Sequence, residues 1–277
     1  MAALIDHLEQ FPLQMLRLDA QSFSYRSAGN PAKPALVLLH GIGSGSGSWV
    51  QQFQALSAEY YLVAWDAPGY GESTRLTSAK PKAAEYAQAL QQFLVALNLQ
   101  QVYLLGHSLG ALMAASFAKA HPEQVLGLIL ANAAQGYGTA DVQVRELKLR
   151  ERLAQMQALG PQGLAEQRAA NLLSPQASAE HLALVQYNMR RLVPAGYAQA
   201  SELLAQGRLL ADASPALKRV LVIAGSADTI TPAEGVQQVA QAFKAERFEI
   251  INAGHASYIE APQAFNQILS QFLKGAV

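Results

Sequence analysis

Short apolar runs that alternate with amphipathic segments constrain the fold of this chain more than any other feature of its sequence. Six such runs occur, and most are followed by glycine or small polar residues: residues 35–39, 61–65, 102–105, 125–130, 220–224 and 248–251. Runs of this length are typical of parallel strands that are buried on both faces. Five segments have helical periodicity: residues 49–56, 82–97, 109–119, 232–243 and 261–273. We therefore predict an α/β fold with a mostly parallel sheet, preceded by an antiparallel strand around Phe23 and Tyr25.

The region from residue 135 to 213 interrupts this alternation, because it contains no run that is typical of a strand. Its apolar residues follow helical spacing, as at Leu149, Leu153 and Met156, and Pro161 and Gly207 are typical of helix ends. We predict a core formed by residues 1–134 and 214–277. Residues 135–213 are expected to form an inserted cap of about four helices.

Composition excludes several classes of protein and site. Lys plus Arg and Asp plus Glu number 20 each in 277 residues, so the basic excess of a nucleic-acid-binding protein is absent. The chain has no cysteine, which excludes disulfides, thiolate nucleophiles and cysteine-bound metals. We find no signal peptide and no apolar run of the ~18 residues that a membrane span needs. We expect a cytoplasmic monomer or homodimer that acts on a small molecule, without membrane or nucleic-acid partners.

The strongest motif is Gly106-His107-Ser108-Leu109-Gly110, which lies between a predicted strand and a predicted helix. Glycines at the outer positions permit a tight, strained turn that exposes the serine hydroxyl at the carboxyl end of the strand. The N–H groups at the start of the following helix favour negative charge. Ser108 is therefore the candidate nucleophile.

A serine needs a base and an orienting acid, and both candidates follow later strands. His255 comes after the last apolar run, and Asp228 lies on the loop after residues 220–224. The order Ser, Asp, His suits a triad at the carboxyl edge of a parallel sheet. Asp66 is the main rival acid but precedes the serine, and Glu260 is interpreted as a charge near the start of the last helix.

Two further histidines are interpreted as structural. His107 adjoins the serine and is expected to point away from the reacting centre, and His40 is expected to support the loop after the first core strand. That loop, His40-Gly41-Ile42-Gly43, is expected to supply one oxyanion donor. We assign the oxyanion hole to the backbone N–H groups of Ile42 and Leu109. The chain has no phosphate-binding, dinucleotide-binding or His-Glu-x-x-His motif, so we expect no metal and no organic cofactor.

Together these motifs resemble the α/β-hydrolase superfamily. The resemblance rests on HGIGSG, DAPGYGES, GHSLG, GSADTITP and GHASYIEAPQAF, which span the chain outside the predicted cap. It implies an eight-stranded sheet, a Ser-His-Asp triad at its carboxyl edge and a helical cap over the site.

Within the superfamily, three groups share parts of this pattern. The stretch from His255 to Glu260 resembles 3-oxoadipate enol-lactonases, although their elbow often lacks a histidine before the serine. The GHSLG elbow also suits haloperoxidase-like esterases and carbon–carbon hydrolases of meta-cleavage pathways. The last group often has Trp shortly after the catalytic His, where this chain has Ala256 and Ser257.

The sequence favours a metal-free serine hydrolase that cleaves a carboxylic ester or an (enol-)lactone of a small organic acid through an acyl-enzyme. The alternatives are a carbon–carbon hydrolase of a diketone and a non-catalytic ligand receptor on the same fold. Tyr137 and Tyr187 are candidate pocket residues, although their spacing also suits the core of the cap. Arg190 and Arg191 are candidates for binding a substrate carboxylate, although such a pair is commonly a solvated helix face.

Overall fold

An eight-stranded sheet lies at the centre of the structure, a computed structural model that describes residues 3–275. Its strands are β1 (Gln14–Arg17), β2 (Ser22–Ala28), β3 (Ala35–Leu39), β4 (Tyr61–Trp65), β5 (Val102–His107), β6 (Val125–Ala131), β7 (Val220–Gly225) and β8 (Glu246–Ile250). They are arranged in the order β1-β2-β4-β3-β5-β6-β7-β8. The β1–β2 and β2–β4 pairs are antiparallel and the other pairs are parallel. The predicted mostly parallel sheet is confirmed.

Burial explains which strands the sequence reveals. Every residue of β3 and β7 is buried, which accounts for their uninterrupted apolar sequences. The two edge strands differ from these: β1 alternates between half-buried and exposed residues, and β8 is mostly exposed although the apolar residues near its end predicted it. As an edge strand with only four residues, β1 has no apolar run, and sequence patterning missed it.

Helices cover the sheet, and three of them lie in the segment of the chain between β6 and β7. They are α1 (Val50–Leu56), α2 (Ala83–Ala96), α3 (Leu109–Ala120), α4 (Val142–Arg168), α5 (Ala179–Arg190), α6 (Pro194–Gln206), α7 (Ala233–Phe243), α8 (Ser257–Glu260) and α9 (Pro262–Leu273). All five helices predicted outside the cap region are confirmed within two residues. In α3, most residues are buried against β5, β6 and α2, and its many alanines permit that close approach. No helix among residues 3–275 is both long and apolar enough to cross a membrane.

The region predicted as a cap contains α4, α5 and α6 and, within the described chain, no strand. Gly160 breaks α4 with φ 62° and ψ −179°, immediately before Pro161. A positive φ is strained for residues with a Cβ, and a proline disfavours helical conformation in the residue before it, so this pair explains the break. The result is four helical segments. The cap limits at residues 135 and 213 stay a prediction.

The topology brings the loops that follow β3, β5, β6, β7 and β8 to one edge of the sheet, because these strands are parallel neighbours. Open α/β sheets bind ligands at this carboxyl edge. The candidate nucleophile, acid and base all lie on these loops.

Candidate active site

Ser108 lies at a strained turn between β5 and α3. Its backbone has φ 52° and ψ −116°, which residues with a Cβ rarely adopt. A Cβ at Gly106 would lie 2.4 Å from the Gly110 carbonyl oxygen, and one at Gly110 would lie 2.4 Å from the Leu39 carbonyl oxygen. Both glycines are required because β5, α3 and β3 approach each other so closely. The Ser108 N–H donates to the Ala131 carbonyl at 3.0 Å, which holds the turn against the end of β6.

His255 and Asp228 form a buried hydrogen-bonded pair beside this turn. His255 Nδ1 lies 2.8 Å from Asp228 Oδ2. Asp228 also accepts hydrogen bonds from the Ile230 N–H at 2.8 Å and from the Thr231 N–H at 3.0 Å. The Thr231 hydroxyl is a further donor to the same carboxylate. These bonds fix the carboxylate, which in turn fixes the imidazole.

Electrostatics keep Asp228 ionised. Burial would raise its pKa, but the hydrogen bond and charge of His255 and the bonds from Thr231 outweigh burial and hold the pKa well below its usual range. An ionised Asp228 selects the His255 tautomer that is protonated on Nδ1 and leaves Nε2 as the proton acceptor.

The candidate nucleophile and base share one cavity. Ser108 and His255 both line it, but no hydrogen bond joins the serine hydroxyl to the imidazole among the described residues. Contacts of this kind commonly tighten only in the complex with substrate. The arrangement is compatible with general-base activation of Ser108.

The loop after β3 lines the same cavity with residues 41–44. The Gly41 carbonyl accepts hydrogen bonds from His40 Nδ1 at 2.8 Å and from the Ser44 N–H at 3.1 Å. Because the peptide is planar and trans, these bonds also fix the direction of the Ile42 N–H. Within the described residues, the N–H groups of Ile42 and Leu109 have no hydrogen-bond acceptor. Both are therefore free to bind an oxyanion.

His40 has the supporting position that the sequence predicts. Its Nε2 accepts the Ala67 N–H at 3.0 Å while its Nδ1 donates to the Gly41 carbonyl. Burial lowers the pKa of His40, which keeps the ring neutral. Asp66 binds the Ser46 N–H and the Ser24 hydroxyl, both at 2.7 Å, and so anchors the same loop. Neither residue contacts His255 in the described hydrogen-bond network.

His107 holds the backbone beside the candidate base and also lines the cavity, with its ring centre 5.0 Å from that of His255. Its Nε2 donates to the His255 carbonyl at 2.9 Å. Burial and the neighbouring His255 lower the pKa of His107 to about 3, so it stays neutral near pH 7.

Sequence reasoning missed Asn132, which follows β6 at the same edge of the sheet. Its Nδ2 donates to Asp228 Oδ2 at 2.8 Å, and its Oδ1 accepts the Ser257 hydroxyl at 2.6 Å. Asn132 has φ 44°, a conformation that asparagine tolerates better than most residues. A polar residue directly after an apolar strand could have indicated this role.

A cavity of about 320 Å³ lies between these loops and the cap. Its apolar lining from the cap region includes Leu164, Leu172, Val185, Met189, Leu192 and Tyr197. Tyr137 also lines it. A pocket with apolar walls and a few polar groups at one end suits a small organic molecule.

Three predicted substrate-binding residues lie elsewhere, which corrects the expectation for the pocket. Tyr187, Arg190 and Arg191 are not among the described residues that line the cavity. Arg190 and Arg191 are exposed, and the Arg191 guanidinium lies 5.2 Å from the centre of the Tyr187 ring. These arginines lie at the exposed end of α5, whereas Val185 and Met189 line the cavity from its inner side.

Comparison with known proteins identifies the family. The model of the alpha/beta hydrolase fold family matches residues 34–262. This chain is an α/β hydrolase. That membership agrees with the resemblance inferred from the motifs.

Relatives of this α/β hydrolase span nearly its whole length. It is 28% identical over 261 residues to 3-oxoadipate enol-lactonase 2 of Acinetobacter baylyi, covering 91% of this chain and 93% of that protein. It is 33% identical over 257 residues to a Klebsiella pneumoniae protein that carries the name carbamate hydrolase RutD, covering 86% and 91%. The enol-lactonase structure from Burkholderia xenovorans shares the fold, with a TM-score of 0.82, 23% identity and coverage of 94% and 100%.

In this α/β hydrolase, Glu260 joins the cap region to the loop that carries the candidate base. Its Oε2 accepts the N–H groups of Gly254 and Ser174, both at 2.9 Å, and its other oxygen accepts the Ser174 hydroxyl. The Ala256 N–H also donates to the Leu172 carbonyl at 2.7 Å. Glu260 is thus more than the helix-start charge predicted from sequence. Its contacts depend on a segment 86 residues away, which sequence spacing could not reveal.

Proposed function

We propose that this α/β hydrolase cleaves a carboxylic ester or a lactone of a small organic acid through an acyl-enzyme on Ser108. The observation that carries the proposal is the convergence of three features on one cavity. Ser108, His255 and Ile42 all line this cavity. Ser108 is strained, His255 is hydrogen-bonded to Asp228 at 2.8 Å, and the N–H groups of Ile42 and of Leu109, the residue after Ser108, have no acceptor within the described residues. Acyl transfer requires a nucleophile, a base and an oxyanion site in this arrangement.

The first half of the reaction forms the acyl-enzyme. His255 Nε2 takes the proton of Ser108 as the serine oxygen attacks the carbonyl carbon. The N–H groups of Ile42 and Leu109 stabilise the oxyanion, and ionised Asp228 stabilises the imidazolium. His255 then returns the proton to the leaving oxygen as the carbon–oxygen bond breaks. A lactone differs only in that the alcohol product stays attached to the acyl group.

The second half regenerates the serine. His255 takes a proton from water as the water attacks the acyl carbon, and the same N–H groups stabilise the second oxyanion. Collapse of this intermediate releases the carboxylic acid, and the proton returns to Ser108. The chemistry supplied by these residues requires no metal.

Relatives support the choice of bond without fixing the substrate. The enol-lactonase from Acinetobacter baylyi is named for a lactone, and the Klebsiella pneumoniae relative is named for a carbamate. Both bonds join an acyl carbon to a heteroatom, so a single serine mechanism accommodates them. A carbamate is therefore included among the test substrates, together with a ring-cleavage dienoate that reports carbon–carbon hydrolysis.

The test compares wild-type protein with Ser108→Ala on nitrophenyl esters and a small lactone, with and without a chelator. We expect wild-type turnover that resists the chelator and a loss of about 10⁶-fold in kcat in the variant, a magnitude typical of serine triads. Near-ultraviolet circular dichroism checks that the variant is folded. Undiminished turnover by folded Ser108→Ala would exclude the proposed nucleophile. Turnover of the dienoate alone would favour the carbon–carbon alternative, and ligand binding without turnover would favour a receptor.

A further inference from the structure

The charges that line the cavity have one sign. Arg152 and Arg168 line it, and no Asp or Glu occurs among the described residues of its lining. Both arginines are half-buried, unlike the exposed Arg190 and Arg191. Arg152 also lies near the buried Tyr70. Burial raises the pKa of the Tyr70 hydroxyl, and the charge of Arg152 lowers that pKa by a smaller amount. Tyr70 donates to the Ile42 carbonyl at 2.9 Å, which brings Arg152 into the neighbourhood of the oxyanion loop.

The break in α4 brings these two arginines to one cavity. In a continuous helix, a separation of 16 residues would place them ~24 Å apart along the axis. The break at Gly160 instead turns the chain, and Arg168 Nη1 donates a hydrogen bond to Gln155 Oε1, which lies on the other side of the break. The bend therefore holds a cation from each segment of α4 against the same cavity.

Neither guanidinium is neutralised by the protein. No salt bridge among residues 3–275 includes Arg152 or Arg168, and the hydrogen bond to Gln155 is the one side-chain hydrogen bond described for either. A half-buried cation without a carboxylate partner loses part of its hydration, and a hydrogen bond to a neutral amide does not balance its charge. An anionic ligand would provide that compensation, and a planar guanidinium suits a carboxylate in particular.

Resting on the function proposed above, we propose that Arg152 and Arg168 form a carboxylate-binding subsite, so that the substrate carries a carboxylate in addition to the bond that is cleaved. The cavity of about 320 Å³ lies at the lower end of the range of roughly 300–1,000 Å³ that is typical of small-molecule sites. A monoester or lactone derived from a short dicarboxylic acid matches both this size and this charge. The apolar lining accommodates the methylene chain between the two ends.

A matched pair of substrates tests the subsite. Mono(4-nitrophenyl) adipate carries a terminal carboxylate, and 4-nitrophenyl 6-methylheptanoate replaces that group by an uncharged branched end of similar shape. We expect Arg152→Gln and Arg168→Gln each to lower kcat/KM for the adipate ester by about 10- to 100-fold, as expected for losing a charged hydrogen bond. The neutral ester should change by less than about threefold.

Arg190→Gln is the matched control, because it removes an exposed arginine outside the cavity lining. This variant should leave the ratio of kcat/KM for the adipate ester to kcat/KM for the neutral ester unchanged. In a separate measurement on wild-type protein, added salt should lower turnover of the adipate ester and not of the neutral ester. Equal losses on both esters, or no loss on either, would overturn the carboxylate subsite and assign the two arginines to stability of the cap.

A binding measurement separates this inference from the proposed function. Calorimetric titration of Ser108→Ala with adipate, and with adipamide as the neutral counterpart, requires no turnover. We expect adipate to bind and adipamide to bind at least tenfold more weakly, with the difference removed by Arg152→Gln. If the protein hydrolyses esters but does not prefer adipate over adipamide, the subsite is contradicted and the proposed function is not. If it prefers adipate but hydrolyses no ester, the proposed function is contradicted and the subsite is not.

Discussion

Asp228 accepts five hydrogen bonds, from His255, Asn132, the Ile230 N–H, and the N–H and hydroxyl of Thr231. This number of donors suits a carboxylate that stays ionised in a buried position. Its proposed role is to orient and stabilise His255 and not to exchange a proton.

Replacing Asp228 by Asn should abolish most activity while preserving the shape of the site. An amide cannot enforce the Nδ1-protonated tautomer, so kcat should fall by about 10⁴-fold, as for other triads. Steady-state kinetics with a nitrophenyl ester measures the effect. Asp212→Asn is the control, because it makes the same chemical change at a carboxylate that pairs with Lys119 outside the cavity lining, and a comparable loss there would contradict the assignment of Asp228.

His107 should make the protein less stable in mild acid. Its pKa is lowered to about 3, so the folded protein keeps it neutral while the unfolded chain takes up a proton below about pH 6.5. Stability from this residue is therefore complete above pH 6.5 and decreases as the pH falls toward 3. The loss reaches about 2 kcal/mol at pH 5, at 1.36 kcal/mol per pH unit.

Urea unfolding of wild-type protein and His107→Gln at pH 7.5 and pH 5 measures this effect. The difference in unfolding free energy between the two pH values should be smaller in the variant by about 2 kcal/mol. An equal pH dependence in both proteins would contradict a neutral, buried His107. His7→Gln, which replaces a half-buried histidine near the N-terminus, is the control.

At the scale of elements, the cap region and the loop that carries the candidate base are joined by the Glu260 carboxylate and by the backbone hydrogen bond from Ala256 to Leu172. Glu260, in the short helix α8, binds the N–H groups of Gly254 and Ser174. A Cβ at Gly254 would lie 2.6 Å from the Leu173 carbonyl carbon, so the two segments are in direct backbone contact. Glu260 is interpreted as a positioning residue that acts through His255.

Glu260→Gln should loosen this connection without changing the chemistry of the triad. We expect kcat/KM to fall by about tenfold, since charged hydrogen bonds contribute about 1.5–3 kcal/mol and the amide retains some of them. Hydrogen exchange of residues 172–174 and 254–256 should increase together, a response that a purely global loss of stability would not restrict to these segments. Glu246→Gln, which changes an exposed glutamate of β8, is the control. Unaltered exchange in both segments would argue against the connection.

At the scale of the whole molecule, local patterning predicted what depends on local sequence. The apolar runs predicted β3 to β8, the alternation at Phe23 and Tyr25 predicted β2, and the motifs after β5 and β7 predicted Ser108 and Asp228 at one edge of the sheet. In contrast, β1 has no buried face that its sequence reveals, and the role of Asn132 appears only when β6 and β7 are paired. The arginines show the same limit. Arg190–Arg191 and Arg152 are equally basic in sequence. Only the structure shows that Arg190 and Arg191 lie at the exposed end of α5, whereas the break at Gly160 brings Arg152 and Arg168 to one cavity.

Covalent trapping tests the central claim, a nucleophilic Ser108, most directly. Wild-type protein is treated with a nitrophenyl phosphonate, a reagent that resembles the tetrahedral intermediate, and is then examined by intact mass and peptide mapping. The account predicts one phosphonyl group per chain, located on Ser108, with loss of ester hydrolysis in proportion to labelling and no labelling of Ser108→Ala. Labelling at another residue, or full hydrolysis by the labelled protein, would contradict it.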